Sequence, residues 1–124
     1  MNKLLFIFIG GGLGSVLRYA ISLFFLKSQR FACFGTFTTN IIGCLLIGYV
    51  YGLVMAKTQL FSENIKAAIT IGFLGGLTTF STFSLETLVF LKDGKLWISL
   101  GYILLSIITG LFCVWLGYVF ANRI

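Results

Sequence analysis

The fold turns on one stretch, Gly72–Glu86, which reads GFLGGLTTFSTFSLE. A run of about 20 mainly apolar residues is needed to cross a bilayer as a helix, and this stretch lies inside the third such run of the chain. It places paired glycines, a cluster of threonines and serines, phenylalanines and a glutamate at membrane depth, where leucines would suffice for anchoring. Polar, glycine-broken backbone is tolerated there only where it faces protein or lines a water-accessible path.

The remainder of the chain sets the context. Of 124 residues, 59% are hydrophobic and mean hydropathy is +1.07, against about 45–50% apolar residues for soluble domains. Four spans are expected, about 4–26, 34–55, 65–91 and 96–121. They leave no room for a soluble body, so residues 1–124 form a single all-α membrane domain. Lys3 followed by LLFIFIG has the flavour of a secretory leader. The apolar pattern runs on past Gly14 and Arg18 to Leu26 without a small-residue cleavage site, which favours a retained first span.

Several function classes are excluded by composition. There is no histidine, which removes the commonest general base and any Cys/His metal cluster. Cys33, Cys44 and Cys113 stand alone in apolar surroundings and read as small hydrophobes. The net charge of +6 comes from basic residues placed singly at span ends, which fits topology and headgroup contact rather than nucleic acid. Basic mouths also attract anions.

The same charges carry a topological message. Lys3, Lys57, Lys66 and Arg123 fall on one side of the four spans, and Lys27, Arg30, Lys92 and Lys95 on the other. The usual excess of Lys and Arg on the cytoplasmic side is missing. Insertion in both orientations and an antiparallel, dual-topology homodimer are therefore expected. Gly10/Gly14, Gly48/Gly52 and Gly72/Gly76 have the GxxxG spacing of close helix contacts.

Two readings of the third span stand side by side. In one, Gly75 and Gly76 supply the backbone freedom for a break, Thr78, Thr79, Ser81 and Thr82 bond the freed backbone groups, and unwound carbonyls offer a cation site. In the other, the helix is continuous and the glycines are a packing notch. Beyond them, helical spacing puts Phe80, Phe83, Ser84 and Thr87 on one face. Electropositive ring edges beside hydroxyl donors suit an anion, although phenylalanine is also ordinary core. The fourth span repeats a polar stripe at Ser99, Tyr102, Ser106 and Thr109, and the second offers Thr36, Thr39, Asn40 and Gly43. The Asn40 amide donates as well as accepts. Arg18 and Glu86 are the charges expected within spans, each costing about 2.5–3.5 kcal/mol on insertion scales. Mutual pairing, within or between subunits, is one remedy; Arg18 also suits an anion vestibule.

Three motifs in order, GGGLGSVLRY (Gly10–Tyr19), GTFTTNIIG (Gly35–Gly43) and GFLGGLTTFSTFSLE, resemble the Fluc/CrcB family of fluoride channels over the full length. The resemblance implies an antiparallel homodimer in the bacterial cell (inner) membrane. It implies two pores that export fluoride passively and relieve its toxicity, without enzymatic activity. It further implies a structural sodium ion at the dimer centre, held by backbone carbonyls that map to Gly75 and Thr78. The family's pore phenylalanines map to Phe80 and Phe83 and its pore asparagine to Asn40. The hydroxyl stripes then become a polar track, with Ser84, Tyr102 and Ser106 as its expected members. The alternative is a small dual-topology multidrug exporter. Such an antiporter needs a carboxylate in its first span, and none is present here.

Overall fold

The computed structural model describes residues 2–25, 32–56 and 61–123. Leu26, Lys27, Arg30 and Lys57, which enter the span and charge expectations, lie outside the described residues. Four helical runs among those described are long and apolar enough to cross a membrane: Asn2–Phe25, Cys33–Met55, Glu63–Lys92 and Leu96–Ala121. This is a multi-pass, all-helical membrane protein.

Helices α1 (Asn2–Phe25) and α2 (Ala32–Ala56) are each unbroken. The third span is composite. It begins as α3 (Glu63–Ala67), whose first turn is capped by the Ser62 hydroxyl accepting from the Ile65 N–H. It widens into a π-helical segment, Ala68–Leu74, and tightens again into one turn, α4 (Gly75–Leu77). Two extended residues follow, and α5 (Phe80–Lys92) completes the crossing. Gly94, with φ of 72°, closes α5. Lys95 N–H donates to the Phe90 carbonyl at 2.9 Å and Gly94 N–H to that of Leu91 at 3.1 Å, a Schellman ending that needs a left-handed residue. The chain then turns straight into α6 (Leu96–Ala121).

Two seams of small residues hold the helices together. In the first, α1 crosses the π segment and α4. A methyl group added at Gly10 would fall on the Ala68 carbonyl, and one at Gly14 on the Phe73 carbonyl. Reciprocally, one at Gly72 would lie 2.7 Å from the Ile7 carbonyl, and one at Gly76 2.5 Å from that of Gly11. The π segment has a physical reason here. An α-helix completes a turn in about 3.6 residues, so residues four apart drift around the axis. The wider π turn offsets that drift and keeps Ala68, Gly72 and Gly76 along one line against α1. The second seam joins α2 to α6, the most extensive helix pair. Gly48 receives the Val114 carbonyl, and Gly117 receives that of Leu45.

The interior is correspondingly unlike that of a soluble protein. Its largest fully buried side chains are Leu77, Thr39 and Ser99, while Trp97, Phe8 and Phe24 point outward. With lipid as solvent, close backbone packing and hydrogen bonds replace a greasy core. Thr39 bonds its own helix at the Gly35 and Thr36 carbonyls. Ser99 reaches across from α6 to the Thr87 carbonyl at 3.4 Å, so this member of the fourth-span stripe is interhelical glue.

The break is real, but it is not where the glycines suggested. Gly75 is an ordinary right-handed helical residue, with φ −63° and ψ −36°. The extended residues are Thr78 (φ −86°, ψ 157°) and Thr79 (φ −151°, ψ 117°). Gly76 serves as a packing notch for α1 instead. The third span is therefore broken rather than continuous, and of the second reading only the packing notch holds, at Gly76.

Candidate functional site

The break is organised by hydroxyl groups and one amide. The helical run before it ends with the Thr78 N–H and the Thr78 Oγ1 both donating to the Leu74 carbonyl, at 3.0 and 2.9 Å. The run after it starts with Thr79 Oγ1 accepting from the Thr82 N–H at 3.2 Å, a standard N-cap. Between them Asn40 of α2 meets the backbone of Thr79. Its Oδ1 accepts from the Thr79 N–H at 2.7 Å, and its Nδ2 donates to the Thr79 carbonyl at 3.1 Å. One amide proton of Asn40 remains for another acceptor. Among the described residues no donor reaches the carbonyls of Gly75 or Thr78. Gly75 is exposed, with no atom within 4 Å of the place a methyl group would take.

An open cavity of about 450 Å³ lies beside this break, lined by Asn40 and Gly43 of α2, Thr78 to Phe80 and Phe83 of the third span, and Ser106 of α6. The Ser106 Oγ is buried and has no hydrogen-bond partner. An unsatisfied buried hydroxyl costs about 1–3 kcal/mol, and this one lines the cavity. A larger hollow of about 670 Å³ beside Tyr51, Trp115 and Tyr118 is mainly apolar, with Lys66 and Thr70 also in its lining.

From the cavity a ladder of rings runs along α5 and α6. The Phe80 and Phe83 centroids are 5.8 Å apart at 44°, those of Phe83 and Tyr102 5.1 Å apart at 55°, and those of Tyr102 and Phe90 6.0 Å apart at 88°. The rings are tilted rather than stacked face to face, and a ring's edge is the electropositive part of its quadrupole. Phe80 is 79% exposed, so the ladder is open at this end.

The ladder ends at Glu86. Thr36 Oγ1 donates to its Oε1 at 2.7 Å and the Tyr102 hydroxyl to its Oε2 at 2.8 Å. Each carboxyl oxygen thus meets one hydroxyl, and these two bonds offset part of the cost of a carboxyl group at this depth. The sequence suggested Arg18 as a remedy. Within the protomer the remedy is this pair of hydroxyls, and among the described residues no ion pair joins Arg18 to Glu86. Arg18 sits half-buried on α1, where its carbonyl accepts from the Ser22 hydroxyl.

The expected site residues therefore divide. Asn40, Phe80, Phe83 and Ser106 converge on the cavity, with Gly75 and Thr78 at its edge. Tyr102 joins them through its ring. Ser84 does not: it is exposed, and its hydroxyl returns to the Phe80 carbonyl at 2.9 Å. Thr87 likewise bonds the Phe83 carbonyl at 2.8 Å. The Thr36–Glu86–Tyr102 arrangement was missed as a unit. Its signal was present, because a carboxylate at membrane depth needs donors and the polar faces of the second and fourth spans supply them.

A four-span membrane protein with a broken third span and, beside the break, a mainly apolar cavity that holds a few polar side chains is the class these features define. Residues 5–118 match the family model described as CrcB-like protein, Camphor Resistance (CrcB), and the chain belongs to that family. It is similar to proteins named fluoride-specific ion channel FluC. The one from Phocaeicola vulgatus is 45% identical, covering 94% of this chain and 96% of the relative. That from Methylobacillus flagellatus is 41% identical over 95% and 93%. That from Flavobacterium psychrophilum is 41% identical over the full length of both.

Proposed function

We propose that this protein is a fluoride-selective channel that lets the ion leave the cell passively, working as an antiparallel pair in the bacterial inner membrane. The ion is named by the full-length relatives. The observation that carries the route is the cavity beside the break, where an unpartnered buried hydroxyl, a spare amide proton and tilted ring edges come together. Fluoride is small and strongly hydrated, so a selective path must replace its water with donors. Asn40, Ser106 and the edges of Phe80 and Phe83 supply them in the protomer. Tyr102 and the Glu86 it holds mark one end. None of these is a fixed cation that would trap the ion. Such a protein conducts and catalyses no reaction.

A second copy completes the path. Phe80 stands open on one side, and the basic residues give insertion no preferred orientation. Lys66, counted on the side of Lys3, sits in the last turn of α3 and pairs with Glu63 at 2.8 Å. The Gly75 and Thr78 carbonyls, without donors among the described residues and beside the open cavity, fit a sodium ion shared with an inverted copy. When bound, that ion supplies charge to bring two breaks together; the chain's part is to keep the carbonyls uncommitted. Ser84 and Arg18 are assigned to the partner-facing track and the vestibule, where a second copy or water meets them.

Purified protein in liposomes is expected to release fluoride and retain chloride when a potassium ionophore balances charge. Folded dimer without fluoride flux would overturn the channel reading. Tags on the termini are expected to be accessible from both faces of the membrane in cells; a single orientation rejects the inverted pair.

A further inference from the structure

Asn40 lines the cavity, yet its amide is turned chiefly to backbone. It closes a two-bond ring on Thr79, accepting from the N–H at 2.7 Å and donating to the carbonyl at 3.1 Å, as a neighbouring strand would. One turn further along α2, Gly43 faces Thr78. A methyl group at Gly43 would fall on Thr78 Cγ2, so the absence of a side chain there makes room for that threonine. The Thr78 hydroxyl is turned the other way, to the Leu74 carbonyl.

We propose that the Asn40–Gly43 face of α2 is the receptor that sets the break, and that Asn40 is a positioning residue which keeps the third span from closing into a continuous helix. At membrane depth a helix is the default, because it satisfies every backbone N–H and C=O internally. The bond that would heal this break runs from the Thr79 N–H to the carbonyl four residues earlier, that of Gly75. Asn40 Oδ1 occupies that N–H instead. The Gly75 carbonyl is left without a donor as a direct result. The Asn40 Nδ2 satisfies the Thr79 carbonyl, so the opened peptide carries no unpaired group of its own. A single side chain thereby couples the two parts of the site. It presents one proton to the anion path and, by holding Thr79, frees a carbonyl on the cation side.

This inference rests on the reading in which the Gly75 and Thr78 carbonyls bind the central sodium ion, but its main test does not. Threonine-selective ¹³C labelling of the full-length dimer in nanodiscs reports backbone conformation through the Cα and Cβ shifts of Thr78 and Thr79. Both are expected at extended values in the wild type. Asn40→Ala is expected to move Thr79 to helical values and to raise the sodium concentration needed for half-maximal dimer retention roughly tenfold. Asn40→Asp keeps an acceptor for the Thr79 N–H and is expected to retain extended shifts. Gly43→Ala leaves the Asn40 amide in place and is expected to displace Thr78, with a similar rise in the sodium midpoint. Extended Thr79 shifts in Asn40→Ala with an unchanged sodium midpoint would overturn the proposal and reduce Asn40 to a donor on the path. Helical shifts in Asn40→Asp would overturn it too, and that comparison remains if the alanine variant does not fold. Absence of fluoride flux from the wild type would sink the channel reading while leaving the labelled-threonine comparison intact.

Discussion

The two halves of the third span share one crossing and do opposite work. Before the break, residues 63–77 press glycines against α1 so closely that backbone meets backbone. After it, Phe80–Lys92 carries rings and hydroxyls on a surface that is largely open, with Phe80, Ser81, Ser84 and Leu85 all exposed. The first half excludes side chains to gain rigidity, and the second displays them. The division teaches that scaffold and path are separated along a single helix axis, with the change of role falling at Thr78–Thr79 rather than at a loop.

The comparison is broken most severely from the scaffold side. A side chain at Gly14 meets the Phe73 carbonyl and, at 2.8 Å, the Leu77 nitrogen, both backbone atoms that cannot turn away. Gly14→Leu is expected to cost at least about 3 kcal/mol, the upper end of overpacking penalties, read as loss of folded dimer on size exclusion. A folded variant with wild-type flux would show that the seam is not the scaffold. On the path side the fold is expected to survive and conduction to fall. Phe80→Ile and Phe83→Ile each remove a ring worth about 0.5–1.5 kcal/mol in aromatic contacts, and a loss of that size in the barrier to permeation is roughly two- to tenfold in rate. Fluoride efflux from liposomes at equal dimer content measures this, and wild-type flux in both would remove the rings from the mechanism. The finest distinction is between two serines. Ser106→Ala deletes an unpartnered buried hydroxyl, so flux is expected to drop several-fold while stability holds or rises. Ser84→Ala removes a hydroxyl bonded to its own helix and is expected to leave flux within about twofold and stability within about 0.5 kcal/mol. Equal flux losses in the two would make the partner-facing track, where Ser84 stands, as important to conduction as the cavity.

The architecture was largely legible. The four spans expected at 4–26, 34–55, 65–91 and 96–121 correspond to Asn2–Phe25, Ala32–Ala56, Glu63–Lys92 and Leu96–Ala121, because hydropathy reports burial in lipid directly. The three GxxxG pairs are all at contacts, but their partners were hidden. Nothing in Gly10 and Gly14 says that they meet Gly72 and Gly76, and Gly117, opposite Leu45, has no spacing partner to draw notice. The break was displaced by three residues for a related reason. Glycine permits an unusual backbone without demanding one, and here the demand comes from Asn40, 39 positions away. The π segment left no mark in the sequence, since it follows from the line of contact with α1. Ser84 shared a helical face with Phe80 and Phe83, but spacing does not tell which hydroxyls turn back to their own carbonyls.

The extended pair at Thr78–Thr79 has one more consequence. In a continuous helix the peptide dipoles join head to tail and their ends appear only at the membrane surfaces. Cutting the helix midway exposes a negative pole at the end of residues 63–77 and a positive pole at the start of Phe80–Lys92, each equivalent to about half an elementary charge. The chain thus brings both signs of charge to the middle of the bilayer without titrating anything. Those poles belong to peptide groups, which do not titrate, so this share of the field does not change with pH.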